Sequence, residues 1–438
     1  VARKPNPLLP FCVVLLLGGG TAFFTAPLWS PLPERILKKA HKFFFNQPEA
    51  PVSPTRATPS LPERFYPQAR MLTLPLLPQL DLEVTIQTEA GQTVLQERES
   101  PDAYHLQTRL TYRVPRAAQT LKELESVQTS LSEHWPSLPA ILPTAQVSPY
   151  FHSLYQRKVT FLEMRVDHIR EIPSRHNMYD CHTILEWSSR DHPTPLLLIQ
   201  ADMDVVTDGS DSDRTTDIDT SSPTFQPFTA YNWAKKTQTP NPLIAHYQSE
   251  LKELEARLDQ PGLSENERYL ASRRSRVVRQ TLEALRYRSS LVAHLDPFIV
   301  LPIFMTKETG VSPESSPAVG DYALVLFQDL ILPAIVGDTG PNSKIGEASL
   351  KIARAIDPSI EATGASRPVS RPQVTYLVFP GSAEPTMQPP DLEKWEMKCR
   401  ELFLQVGGDP KSVNSWKESP RQDPEADTPK DDSAGYTK

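Results

Sequence analysis

Cysteine is scarce in this chain, with three among 438 residues. There is no CxxC pair and no Cys/His cluster at ligand spacing, which excludes the usual structural zinc sites. Cys181 and Cys399 are the pair that an oxidising compartment would join, and spacing leaves open whether their geometry allows it. Glycine is also sparse, at 16. No phosphate loop and no dinucleotide fingerprint is present, so no nucleotide cofactor is expected. Gly381-Ser382 lacks the flanking glycine pattern of a nucleophile elbow. His176, His182 and His192 are close in sequence but not at ligand spacing, so no metal is expected. The net charge of −7 is modest and excludes a dominant nucleic-acid role.

Proline is abundant, at 45 residues, roughly twice its usual share. Many linkers and turns follow. Arg3-Lys4 precede the apolar run Leu8–Leu17, and small residues follow it. This reads as an export signal or a membrane anchor over residues 1–30. Residues 31–64 read as a Pro-rich linker. Residues 65–155 form a small N-terminal domain of unknown role, with strands at Leu82–Gln87 and Thr108–Val114 and helix over 117–134. From 156 to 408 the pattern is β-rich. Strands are expected at Lys158–Val166, Thr183–Trp187, Leu196–Gln200, Phe298–Phe304, Tyr322–Phe327, Leu330–Val336 and Val374–Phe379. A helical hairpin is inserted over 243–290, with Ser264 and Glu267 as a capping box. The seven arginines of its second helix, Arg268 to Arg288, read as a solvated face. Asp391 caps a last helix, Leu392–Val406, and the polar tail 409–438 is expected to be disordered.

Chemistry concentrates in Val336-Gly337-Asp338-Thr339-Gly340-Pro341-Asn342-Ser343-Lys344-Ile345-Gly346-Glu347-Ala348-Ser349. An apolar run delivers Asp338 to a Gly-flanked turn. A short polar loop then leads to Glu347, read as opening a helix, Ala348 to Ile356. Two carboxyls facing one cleft suit glycoside hydrolysis, in which one protonates the leaving oxygen and the other activates water or attacks the sugar. The residues alone fit a turn Asp and a helix-start Glu better than they fit a catalytic pair.

Upstream, residues 201–219 hold seven Asp with only Arg214 against them. Asp202, Asp204, Asp208 and Asp211 are candidate substrate-binding residues, because an acidic cleft attracts a cationic polymer. The spacing around Gly209 also fits calcium loosely, but the terminal Glu of a twelve-residue loop is missing. A solvated acidic loop is the plain alternative. Trp187, Tyr231 and Trp233 are candidates for sugar stacking, although core packing suits them better.

Gly337-Asp338-Thr339-Gly340 with Ile345-Gly346-Glu347-Ala348-Ser349 resembles the catalytic segment of the chitosanases of glycoside hydrolase family 75. Gly320-Asp321-Tyr322-Ala323, residues 370–382 and Ala201–Ser210 extend the likeness over about 180–407. The resemblance implies that Asp338 and Glu347 are the essential acids and that the reaction inverts the anomeric centre. Glu347 is taken as general acid and Asp338 as general base. The loop between them is shorter than in the compact secreted members, and Lys344 inside it would repel a cationic substrate.

The expected fold is α+β, with a β-rich catalytic domain similar to a double-psi β-barrel. The expected function is endo-acting, inverting hydrolysis of β-1,4 glucosamine polymer (chitosan), with no cofactor. The expected partner is a cationic polysaccharide, and the place is outside the cytoplasm: secreted, periplasmic or membrane-anchored. Two other readings stand beside it, a hydrolase of another envelope glycan such as peptidoglycan and a non-catalytic envelope or glycan-binding protein. Oligomeric state is not legible.

Overall fold

A computed structural model describes residues 70–77, 80–86, 90–100, 111–165, 174–189, 192–306, 316–361 and 367–416. The expected export segment and linker lie outside them, as does the tail beyond 416. The chain divides into two compact units, one ending at Thr111 and one beginning at Tyr112. In the first, β1 (Arg70–Leu77) and β2 (Leu80–Ile86) form an antiparallel hairpin. Helix α1 (Val94–Glu99) follows, its start closed by a Thr93/Gln96 capping box.

The second unit opens with three short helices: α2 (Leu121–Glu125), α3 (Leu131–His134) and α4 (Leu138–Ile141). Strand β3 (Gln146–Val147) and the long helix α5 (Pro149–Arg165) come next. The expected strand at Lys158–Val166 is therefore helix up to Arg165. Its buried side chains are Tyr150, Phe151, Leu154, Tyr155, Lys158 and Leu162; from Phe151 on they are spaced as one helical stripe, and that period outweighs the local alternation. The expected strand Thr108–Val114 has no regular structure over its described part, 111–114. Leu124, Leu131, Trp135, Leu138, Phe151 and Tyr155 share the core of the second unit. This is why the compact units part before Tyr112 and not near residue 155.

Helix α6 (Arg175–Met178) leads into β4 (Cys181–Ser189), β5 (His192–Val206) and β6 (Asn232–Ala234). The helical hairpin is α7 (Leu243–Leu258) and α8 (Glu265–Tyr287), with the Ser264/Glu267 box in place. Leu243, Tyr247, Val278, Leu282 and Leu285 give it a core of its own. Arg274 and Arg279 pair with Glu250 and Glu255 across the two helices. The remaining elements are β7 (Arg288–Ser290), β8 (Phe298–Pro302), β9 (Tyr322–Phe327), β10 (Leu330–Gly340), β11 (Glu347–Ser349), α9 (Leu350–Ile356), β12 (Val369–Val378) and α10 (Leu392–Gln405). Residues 409–416, expected as tail, pack on β10: Asn414 N–H donates to Ile331 O at 2.8 Å and Trp416 Nε1–H to Pro333 O at 2.9 Å.

Six strands close a barrel in the order β11-β8-β10-β9-β12-β5, with β5 returning to β11. Closure removes the open edges that an antiparallel sheet would otherwise expose. The α+β, β-rich expectation agrees with this architecture. Pairs β10–β8 and β11–β5 are parallel and the other barrel pairs antiparallel. Strand β5 is long enough to serve twice. Its early part pairs with β4 and β12, and Asp204–Val206 pairs with β11. Cys181 and Cys399 are both buried free thiols.

Candidate active site

Strand β10 carries a buried apolar run, Ile331 to Val336, into the barrel wall. Its register against β8 slips at Gly337: Val336 faces Ile299 and Asp338 faces the next residue, Val300. An extra residue of this kind re-aims the side chain that follows it. Gly337 is required there, because a Cβ would lie 2.6 Å from both Leu291 and Phe298. Asp338 is 9% exposed. Its Oδ1 accepts from Ala230 N–H at 2.9 Å and Thr339 N–H at 2.8 Å.

Glu347 does not open a helix. It begins β11, and helix α9 starts only at Leu350. Glu347 therefore stands two residues before the helix N-cap, Ser349, and not in the first turn of the helix. Instead Glu347 faces Val300 on one side and Asp204 on the other. Asp338, Val300, Glu347 and Asp204 thus form one level across β10, β8, β11 and β5. In-register residues of paired strands share a face. The two carboxyl residues are separated by a single strand, roughly 10 Å between backbones. Glu347 leans back over that strand: a Cβ at Gly340 would meet Glu347 Oε2 at 2.8 Å. Gly340 lies two residues past Asp338, so the carboxyl groups are on the order of 5–10 Å apart. That range spans the separations of both retaining and inverting carboxyl pairs.

Asp208 is the third carboxyl of the cluster. Its Oδ1 accepts from Gln226 N–H at 2.7 Å, so one segment, 226–230, holds both Asp208 and Asp338. Burial, then the charges of Asp338 and Glu347, push the Asp208 carboxyl well above the usual range and favour its protonated form.

A charge network backs Glu347. Lys344 Nζ sits 2.8 Å from Asp204 Oδ2 and 3.4 Å from Glu347 Oε1. Burial alone would lower the Lys344 pKa, but Glu347 and Asp204 outweigh it and keep the ammonium charged. Arg367 Nε reaches Asp204 Oδ1 at 3.3 Å. Burial of Asp204 is in turn outweighed by Lys344, Arg367 and His176, which hold its carboxyl below the usual value. His176 Nδ1 meets Ser370 O at 3.1 Å and its Nε2 meets Asp202 Oδ2 at 2.9 Å. His176, Asp202 and Asp204 present ligand-type atoms within 4.8 Å of one another. The chain's own cations, Lys344 and Arg367, already compensate Asp204, and a divalent ion would have to displace them.

Burial, then Asp180 and Asp204, push Asp202 up to about 9 from 3.8. Between these values the folded chain keeps a proton that the unfolded chain has released. Stability from this group is complete below the unfolded value and drains away as pH rises toward the folded one. Asn cannot ionise. Asp202→Asn should therefore gain stability over the parent as pH rises from about 4 to about 9. Urea unfolding at both ends checks this, and a pH-independent difference would reject it.

The four acidic subsite candidates separate in space. Asp204 and Asp208 are partly exposed beside Glu347 and Asp338, whereas Asp202 and Asp211 are buried. Asp211 pairs with Arg214, which also forks onto Asp296 at 2.7 Å through both terminal nitrogens. Asp213 turns to Lys236 N–H and Thr237. These acids do not converge on one point, so the calcium-loop reading has no geometric support. Tyr231 and Trp233 are core residues at 6% and 4% exposure. Sequence reasoning missed His176 and Arg367, which approach only through tertiary contacts. Lys344 was legible as a cation three residues before Glu347.

Among protein-family models, the one described as fungal chitosanase of glycosyl hydrolase group 75 matches residues 203–408. No curated protein matches the chain.

Proposed function

Residues 203–408 belong to the chitosanase family of glycosyl hydrolase group 75, and from that premise we propose that Asp338 and Glu347 cleave the β-1,4 linkages of chitosan by single displacement, with inversion. The chain is a glycoside hydrolase of the chitosanase type. The observation that carries the assignment is the shared register of Asp338 and Glu347 on either side of Val300.

Asp338 is fixed by two backbone donors on one oxygen. Held in this way, the Asp338 carboxylate serves as the base that orients and deprotonates a water. Glu347 has the longer side chain and crosses toward Gly340. It is placed to deliver a proton to the leaving oxygen, a proton it must first take up against the pull of Lys344 at 3.4 Å. The water and the sugar bond occupy the gap between them. Asp208, held toward its neutral form, limits the negative charge that Asp338 and Glu347 must bear together. Neutral Asp208 and the compensated Asp204 line the cleft as hydrogen-bonding groups, while Lys344 is turned inward on Asp204 and Glu347, away from the glucosamine ammonium groups. A polymeric substrate suits an enzyme working outside the cytoplasm, and the apolar run after Arg3-Lys4 would serve export. No helix among the described residues is long and apolar enough to cross a membrane.

The test is release of reducing ends from chitosan, chitin and peptidoglycan by the full chain, with NMR of the first product anomer. Cleavage of chitosan giving the α-anomer is expected. A β-anomer product would remove the single-displacement scheme. Release from peptidoglycan alone would transfer the site to another glycan. Binding to chitosan without release would make the protein a glycan-binding module.

A further inference from the structure

Lys158 lies on α5, outside the matched segment, and its side chain is 1% exposed. A lysine this deeply enclosed is rare unless its charge is matched. Here every ammonium proton has an acceptor. Nζ donates to Asp180 Oδ2 at 2.8 Å, to Asn177 O at 2.7 Å and to Ser343 O at 2.7 Å. Three donors meet three acceptors, and the group is saturated. Asp180, at 3% exposure, uses the same Oδ2 to accept from Ile345 N–H at 3.4 Å.

Ser343 and Ile345 flank Lys344 in the loop that joins Asp338 to Glu347. One buried ion pair thus holds the peptide groups on both sides of Lys344. Lys344 then spans Asp204 and Glu347. The chain of contacts runs from α5 through the loop to the carboxyl that meets the substrate. Neither Lys158 nor Asp180 falls within residues 203–408.

We infer that Lys158, together with Asp180, is a positioning residue for Glu347: the helix outside the hydrolase segment fixes the loop that sets the Glu347–Lys344 pair. This rests on Glu347 acting on substrate as proposed above. A purely structural buried pair makes a different forecast. Replacing both members by uncharged groups of similar size is often neutral for stability. A positioning pair loses rate even where stability survives, because a displacement of about 1 Å at a catalytic group costs on the order of 100-fold.

The experiment is the double variant Lys158→Met/Asp180→Asn in the full chain. The expected result is kcat on chitosan lowered by about 10- to 100-fold, KM within about threefold, an unchanged melting curve and faster amide hydrogen exchange at residues 343–347. Wild-type kcat in the folded double variant, or unchanged exchange in that loop, would overturn the inference. Should the double variant not fold, Lys158→Arg keeps the charge but cannot place three donors on the same acceptors. It is expected to fold with reduced kcat, and full kcat there would equally overturn the inference. If the wild-type chain does not cleave chitosan, the proposed reaction fails, and loop exchange in whichever variant folds still decides whether the pair fixes the loop.

Discussion

Asp338→Asn and Glu347→Gln each lower kcat on chitosan by about 10²- to 10⁴-fold, the range for loss of one general acid or base. Both variants keep their fold. An Asn Oδ1 accepts the same Ala230 and Thr339 N–H groups that Asp338 Oδ1 accepts, and Gln retains the volume of Glu347 beside Gly340. The two variants diverge on a glucosaminide with a good leaving group. Such a substrate needs no proton at its leaving oxygen, so it restores rate to Glu347→Gln. It does not restore Asp338→Asn, in which water activation is missing. Restoration in the opposite variant would exchange the two roles. Full activity of either variant on chitosan would take that residue out of the reaction. Asp208→Asn supplies the contrast. The Asp208 carboxyl is held toward its neutral form by burial and by the charges of Asp338 and Glu347, and Asn mimics that form. Its kcat should stay within about tenfold of wild type. If ionisation of Asp208 limits activity at alkaline pH, that limb moves to higher pH in the variant.

Gly346→Ala is expected to disrupt both stability and turnover. Gly346 has φ +84°, a conformation that side chains rarely adopt. The added Cβ would stand 2.4 Å from Asp202 O and 2.7 Å from Asp202 Oδ1. Backbone in that region costs a non-glycine residue on the order of 1–3 kcal/mol before the clash is counted. The clash is with backbone, which has no easy retreat: Asp204 N–H donates to Gly346 O at 2.7 Å, and Asp202 O accepts from Tyr376 Oη–H at 2.8 Å. A total loss of about 3 kcal/mol or more is expected, in the class of large single-site effects. Any folded fraction should also turn over more slowly, because the peptide that moves is joined directly to Glu347. Thermal unfolding and kcat of the purified variant check this. A melting temperature within about 2 °C of wild type would mean that the loop accommodates the methyl group and is not fixed as described.

Much of the fold is legible where one period dominates. Strand β9, the run that begins β10 and the hairpin α7/α8 were recoverable from alternation, apolar continuity or helical stripes with a capping box. Helix α5 was not, because a short stretch of it alternates as a strand does. Only the wider stripe from Phe151 to Leu162 shows its true period. Glu347 was placed at a helix start because the residues after it are helix formers. Pairing to β5 and β8 takes its first three residues into the barrel instead, and no local signal marks a strand of three residues.

The sequence by itself offered the two carboxyls and their glycine frame as candidates, and its resemblance to the family 75 chitosanases carried the hydrolase reading, because the glycines and acids of that segment are contiguous and chemically distinctive. Only the tertiary structure set those carboxyls at one level of the barrel, showed Asp202 and Asp211 buried, brought Lys158 and Asp180 to the loop, and brought His176 and Arg367 to Asp204. Register across a closed sheet and the pairing of buried charges depend on contacts between segments distant along the chain. Neither leaves a periodic mark on the residues that make them.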